Sequence, residues 1–170
     1  MTTTASLDDL LSELSQALWK QRALIDLLQY RLEVQQLVFA SGNQNRVQVA
    51  VTEVEQAMDG IRRGERERDA VVRRCANGLG LAPTASLAEL RAAVDPPWAE
   101  ILSDHQEALL AQVRATEELA ALNREAAQRG AADRRALLDA ISDQPRAVSG
   151  YGPVPGGRRN VTPAMIDREV

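Results

Sequence analysis

The stretch "LDDLLSELSQALWKQRALIDLLQYRLEVQQLVFASGN", residues 7–43, decides the fold. Residues recur through it at alternating intervals of four and three: Leu7, Leu11, Leu14, Leu18, Gln21, Ile25, Leu28, Leu32, Gln35 and Phe39. All but the two glutamines are apolar, which is the seam of a long helix that packs on another helix. Ser6 stands ahead of it as N-cap, and Asp8 and Asp9 fall in the first turn, where the helix dipole favours negative charge. Ser41-Gly42 ends it, because glycine readily takes the left-handed conformation that stops a helix.

A second helix must start almost at once, with Asn43 or Asn45 as its cap, and it runs to about Asn77 before Gly78 and Gly80. Two helices of about 33 residues, roughly 50 Å each at 1.5 Å per residue, joined by so short a turn make an antiparallel hairpin. The seam of the second helix reads Val47, Val51, Val54, Met58, Ile61, Glu65, Arg68, Val72, Cys75 and Leu79. With the turn centred on Asn43, Phe39 faces Val47 and the two series pair in order, so that Gln21 meets Glu65. Such a polar layer either pins the register, because a buried polar position penalises shifted pairings, or sits near solvent.

Beyond the loop "GLGLAPTA", Ser86 and Glu89 form a capping box for one short helix, which Pro96 and Pro97 end. Pro97 suits the first turn of a third long helix reaching roughly Ser142. Its apolar positions are less regular: Trp98, Ile101, Leu102, Leu109, Leu110, Val113, Leu119 and Leu122, then Leu137, Leu138 and Ile141. The first half is expected to pack across the hairpin. Gly130, about 1 kcal/mol worse than Ala inside a helix, predicts a bend or break. The patch of Leu137, Leu138 and Ile141 either folds back on the rod or receives an amphipathic segment from a partner. The stretch "AVSGYGPVPGGRR", residues 147–159, cannot continue a helix. The chain therefore reads as all-α: an elongated antiparallel hairpin of coiled-coil type, a short helix and a third long helix packed alongside. A helical domain spans 1–144 and a flexible Gly/Pro-rich tail spans 145–170.

Composition narrows the functions available. Of 170 residues only five are aromatic, and the formal net charge of -4 argues against a surface built to neutralise phosphate. Nucleic acid is not expected as a partner on that ground. The segment "RRGERERDAVVRR", residues 62–74, interleaves acids close enough to pair with its arginines, which makes it a solvated face. No apolar run approaches the roughly 20 residues that span a bilayer, so stable membrane insertion is not expected. A start of "MTTTASLDDLL" without a basic and then apolar leader, and a lone cysteine, Cys75, point to the cytoplasm. Cys75 falls on a seam and reads as a small core residue. His105 is the only histidine, so two-histidine metal motifs cannot form within one chain and no triad suggests itself. "GLGLAP", residues 78–83, has no strand ahead of it, and Pro83 stands where a dinucleotide loop needs its third glycine. No catalytic residue, metal or cofactor is expected, and the chain does not read as an enzyme.

The order of these features resembles the FlgN family of flagellar type III export chaperones. "ALWKQRALIDLLQYRLEVQQLVFASGN", residues 17–43, looks like the first helix of that family with its small-residue turn. "SLAELRAAV", residues 86–94, looks like its short segment between the second and third helices. "SGYGPVPGG", residues 149–157, is similar to the tail tyrosine and glycines that close many members, although Gly152 and Pro153 make the spacing looser. The resemblance covers about residues 5–157. It implies a cytoplasmic chaperone that binds the C-terminal amphipathic helix of hook-filament junction proteins, prevents premature assembly and delivers them to the flagellar export gate. Candidate client contacts are Leu119, Leu122, Ala126, Leu137, Leu138 and Ile141, and the residue matching the export-gate tyrosine is Tyr151. The alternative is a structural coiled coil that self-associates or serves as a helical adaptor through the same patch.

Overall fold

The computed structural model describes residues 6–142; the tail and its Tyr151 lie outside the described residues. The order is α1 (Leu7–Ser41), α2 (Gln44–Gly78), α3 (Leu87–Ala92) and α4 (Trp98–Ser142), with no strand among the described residues. Local chemistry sets the boundaries. Ser6 and Asp9 close a reciprocal capping box at the start of α1, and Ser86 and Glu89 close another on α3. Gly42 takes φ 66° and Gly80 takes φ 71°, so glycine supplies both left-handed turns at the ends of the hairpin. Asn43 occupies the N-cap position of α2 without a side-chain bond.

α1 and α2 form the expected antiparallel hairpin, and every buried residue of α1 belongs to the expected seam: Leu11, Leu14, Leu18, Gln21, Ile25, Leu28, Leu32 and Gln35. The seam of α2 is different from the expected one. Its buried residues are Ala50, Ala57, Gly64, Val71, Cys75 and Ala76, the first four spaced seven apart, while Met58 is 42% exposed. Small side chains let the two helix backbones approach closely, so the contact is set by what α2 lacks. A Cβ on Gly64 would lie 2.6 Å from Leu24 Cδ1 and 3.2 Å from Gln21 Oε1. Gln21 is therefore seated against Gly64, and Glu65 is exposed. The expected Gln21–Glu65 layer does not exist, although its register does: Lys20–Glu67, Arg31–Glu53 and Glu13–Arg74 pair across the same hairpin.

α4 lies alongside α1 and runs parallel to it. Trp98 Nε1 donates to Asp8 at 2.9 Å and Ser15 Oγ and His105 Nε2 lie 3.0 Å apart, both at an offset of 90 residues, and Asn123 donates to the Leu32 carbonyl at 2.8 Å at an offset of 91. The helix is continuous through Gly130, so the break expected there is absent; an exposed turn accepts the modest glycine cost. At the base of the rod α3 bridges α2 and α4. Leu90 is fully buried there with Leu11, Leu14, Leu18, Cys75 and Leu102. A second, smaller core in the middle joins Leu28, Leu32 and Ala57, with Val54, Ile61, Leu119 and Ala120 packed against it.

Replacing Gly64 by leucine should destabilise the chain by about 1–3 kcal/mol through overpacking. Met58→Ser, at a position the sequence assigned to the seam, should change stability by less than about 0.5 kcal/mol. Urea denaturation of the two variants measures the difference.

Candidate partner-binding surfaces

Three long helices leave three kinds of surface, each traceable to register. The first is an overhang. Arg134 is level with Gln44, the first residue of α2, so the rest of α4 passes the hairpin turn and has no neighbouring helix among the described residues. Leu137, Leu138 and Ile141 are accordingly 61%, 64% and 61% exposed. Of the two readings of this patch, folding back on the rod is not what α4 does.

The second surface is a shallow cleft of about 380 Å³ between α1 and α4, lined by Gln36, Phe39, Leu122, Ala126, Arg129 and Asp133. It brings the expected contacts Leu122 and Ala126 together. Leu119 is half-buried against the middle core, so it supports the wall of this region more than it presents a surface. The six candidate residues thus divide into a core-supporting Leu119, a cleft pair and an overhang triplet.

The third surface was not anticipated. The backbones of α2 and α4 both pack on α1 and do not meet along the rod. Between them lies a cleft of about 270 Å³ lined by Gln21, Ile25, Leu28, Ile61, Leu109 and Val113, together with Glu65, Arg68 and Glu117. Nearer the hairpin turn a further 190 Å³ is lined by Phe39, Val47, Val51, Ala126, Ala127 and Arg134. Val47, Val51, Ile61, Glu65 and Arg68, assigned to the α2 seam from the sequence, therefore border open clefts, whereas Val54, Val72 and Leu79 pack on the cores and Cys75 is buried as the seam reading has it.

The α1–α4 interface itself is polar. Gln29 Nε2 donates to the Gln112 carbonyl at 2.9 Å and to Thr116 Oγ1 at 3.1 Å. Gln112 Nε2 donates to the Arg22 carbonyl at 3.2 Å and to the Asp26 carboxylate. Asn123, 4% exposed, donates to the Leu32 carbonyl at 2.8 Å and to Gln35 Oε1 at 2.9 Å. These polar residues were missed because only apolar periodicity was sought. The signal was there: Leu102, His105, Leu109, Gln112, Thr116, Leu119, Asn123 and Ala126 keep strict alternating intervals of three and four.

His105 is 2% exposed, with the Trp19 ring edge-on at a centroid distance of 5.2 Å. A serine and a histidine within hydrogen-bond reach are two parts of a nucleophilic site, but His105 Nδ1 has no partner to orient the ring. The pair sits inside a helix interface and serves packing. Burial, reinforced by the nearby Arg22 cation and opposed by Asp104, holds the His105 pKa below its ordinary value. Cys75 is fully buried with its thiol 3.3 Å from the Leu10 carbonyl, and burial pushes its pKa up, as suits an inert core thiol. Within 62–74 Arg68 pairs with Asp69, while Arg74 and Glu67 reach Glu13 and Lys20 on α1. Two of its nine charged residues staple the hairpin. No cluster of three metal-ligating side chains is found among the described residues, and no described helix is long and apolar enough to cross a membrane.

The class defined by this arrangement is an all-α scaffold of coiled-coil type whose distinguishing features are unpartnered helix faces. A family model described as FlgN protein matches residues 1–155. The chain belongs to the FlgN family, whose members are flagellar export chaperones. No curated protein and no solved structure matches it.

The unfolded chain takes up a proton near the ordinary histidine pKa of about 6.5, while folded His105 resists protonation. The unfolded state therefore binds more protons below that pH, and stability should fall as pH drops through it. Urea titrations between pH 7.5 and 5.5 should show that slope, and His105→Gln should flatten it.

Proposed function

We propose that this chain is a cytoplasmic export chaperone that binds the C-terminal amphipathic helix of hook-filament junction proteins, prevents their premature assembly and delivers them to the flagellar export gate. Family membership supports the general role. The observation that carries the client contact is the overhang: α4 outruns its support, and Leu137, Leu138 and Ile141 stand exposed where a partner helix can cover them. Burying an exposed leucine or isoleucine side chain contributes about 1.5–3 kcal/mol, so three of them supply an affinity useful for a reversible complex. Leu122 and Ala126 extend the same contact along α4, with Leu119 behind them.

Tyr151, in the Gly/Pro-rich tail of residues 145–170, is assigned to docking at the export gate. An aromatic side chain on a chain segment that cannot continue a helix has little to offer its own core. Ordering each residue costs roughly 1–2 kcal/mol of backbone entropy, which keeps a contact made through such a segment weak and releasable.

Co-expression with the hook-filament junction proteins of the same genome should yield a stoichiometric complex. Leu138→Asp should lower its affinity at least about tenfold, a loss of roughly 1.4 kcal/mol. Tyr151→Ala should leave the complex intact and reduce secretion of the client. Unchanged client binding after introducing charge at each of the six α4 positions would remove this face from the reading.

A further inference from the structure

α1 is apolar on two nearly opposite sides. One is the seam that α2 covers. On the other, Ala23, Leu27, Tyr30, Val34 and Leu37 recur at alternating intervals of four and three, more than a third of a turn away from the seam at 100° per residue, with Trp19 beside their lower end. The positions that meet α4, Ser15, Arg22 and Gln29, form a third line with a spacing of seven. A surface helix turns one apolar stripe to its core and a polar face to water. The outward face of α1 instead holds Trp19, Leu27, Tyr30 and Leu37 at 58%, 43%, 56% and 70% exposed. None of these residues lines the clefts described above. They make a ridge, and a ridge repeating every 3.5 residues is what zips along a second helix. From Ala23 to Leu37 it is about 21 Å long at 1.5 Å per residue.

The charges beside the ridge are self-complementary. Asp26 borders it on the α4 side, where its carboxylate accepts from Gln112, and Arg31 borders it on the α2 side, where it pairs with Glu53 at 3.0 Å. In two α1 helices aligned in parallel, each ridge residue meets its own copy, and opposite flanks meet at an offset of five residues. Asp26 of each helix then faces Arg31 of the other. An antiparallel pair brings like flanks together instead. Asp26 would face Glu33, which is exposed on the same flank seven residues on, and Arg31 would face Arg31, so charge repulsion disfavours that alignment.

We propose that the outward ridge of α1 is the contact between two copies of this chain, which pair in parallel along α1 with Asp26 of each facing Arg31 of the other. The pairing does not depend on the export-chaperone reading, because it leaves Leu137, Leu138 and Ile141 uncovered. Its parallel sense carries both α4 overhangs at the same end. Five ridge positions make two heptads, fewer than the three to four that mark a self-sufficient coiled coil, so the pair is expected to dissociate in the micromolar range.

Sedimentation velocity on the full chain, from low to high micromolar, should show a reversible monomer–dimer equilibrium. Leu27→Asp, at an exposed position, should raise the dissociation constant at least about tenfold with helicity by circular dichroism unchanged. Asp26→Arg and Arg31→Asp should each weaken the dimer alone, and an equimolar mixture of the two variants should form a mixed dimer, since both facing pairs then regain opposite charges. Leu27→Cys should cross-link to its own copy on mild oxidation, with the fully buried Cys75 left in place. Cross-linking that requires mixing Leu27→Cys with Tyr30→Cys chains overturns the parallel alignment. A monomer at every concentration overturns the pairing, and so does a dimer that survives Leu27→Asp and is dissolved by Leu138→Asp, which places the contact at the overhang. A chain that never dimerises and loses its hook-filament junction protein through Leu27→Asp assigns the ridge to the client and overturns the proposal, while the export-chaperone reading stands.

Discussion

α1 packs against two long neighbours through two chemically different faces, and those neighbours do not meet. One face is the leucine seam that α2 covers with alanine, glycine and valine. The other places Asp8, Ser15, Gln29 and the Arg22 carbonyl against polar groups of α4. Between α2 and α4 two clefts therefore stay open, one on either side of the middle core to which both helices contribute side chains. The clefts follow from that arrangement around a shared helix, and the overhang from the register of α4.

The two interfaces differ in what breaks them. In the hairpin, large apolar side chains of α1 leave water against a close-fitting small-residue surface, a contribution that is non-directional and spread along the rod. Along α4, Gln112 and Asn123 donate to α1 and Thr116 accepts from Gln29, each bond with a net worth of about 0.5–1.5 kcal/mol and each dependent on register. A shift of α4 by one residue would unmake the whole row at once. The polar face therefore specifies where α4 sits more sharply than a leucine face would, and it holds the overhang at a defined length.

The caps and turns were legible because single residues decide them: Ser6, Gly42, Gly80, Ser86 and Glu89 each perform the role that their type dictates. The α1 seam was legible for the same reason, being carried by large side chains at fixed intervals. The α2 seam was not, since a search for large apolar residues finds Val47, Val51 and Met58, whereas close approach is governed by Ala50, Ala57 and Gly64. Asn123 and Gln112 escaped for a related reason, because a hydrogen-bonded residue at a seam position looks like an interruption when only hydrophobicity is scored. Of the candidate contacts, the exposure of Leu137, Leu138 and Ile141 needed the parallel register of α4, and sequence spacing alone does not provide that.

α3 gives the rod two unlike ends. Its Leu90 is driven between α2 and α4 at the base, where Leu102, Cys75 and Leu18 enclose it, while at the other end α4 runs on past the hairpin turn. Fraying at one end is opposed by interlocked side chains, and at the other only by the backbone hydrogen bonds of α4 itself.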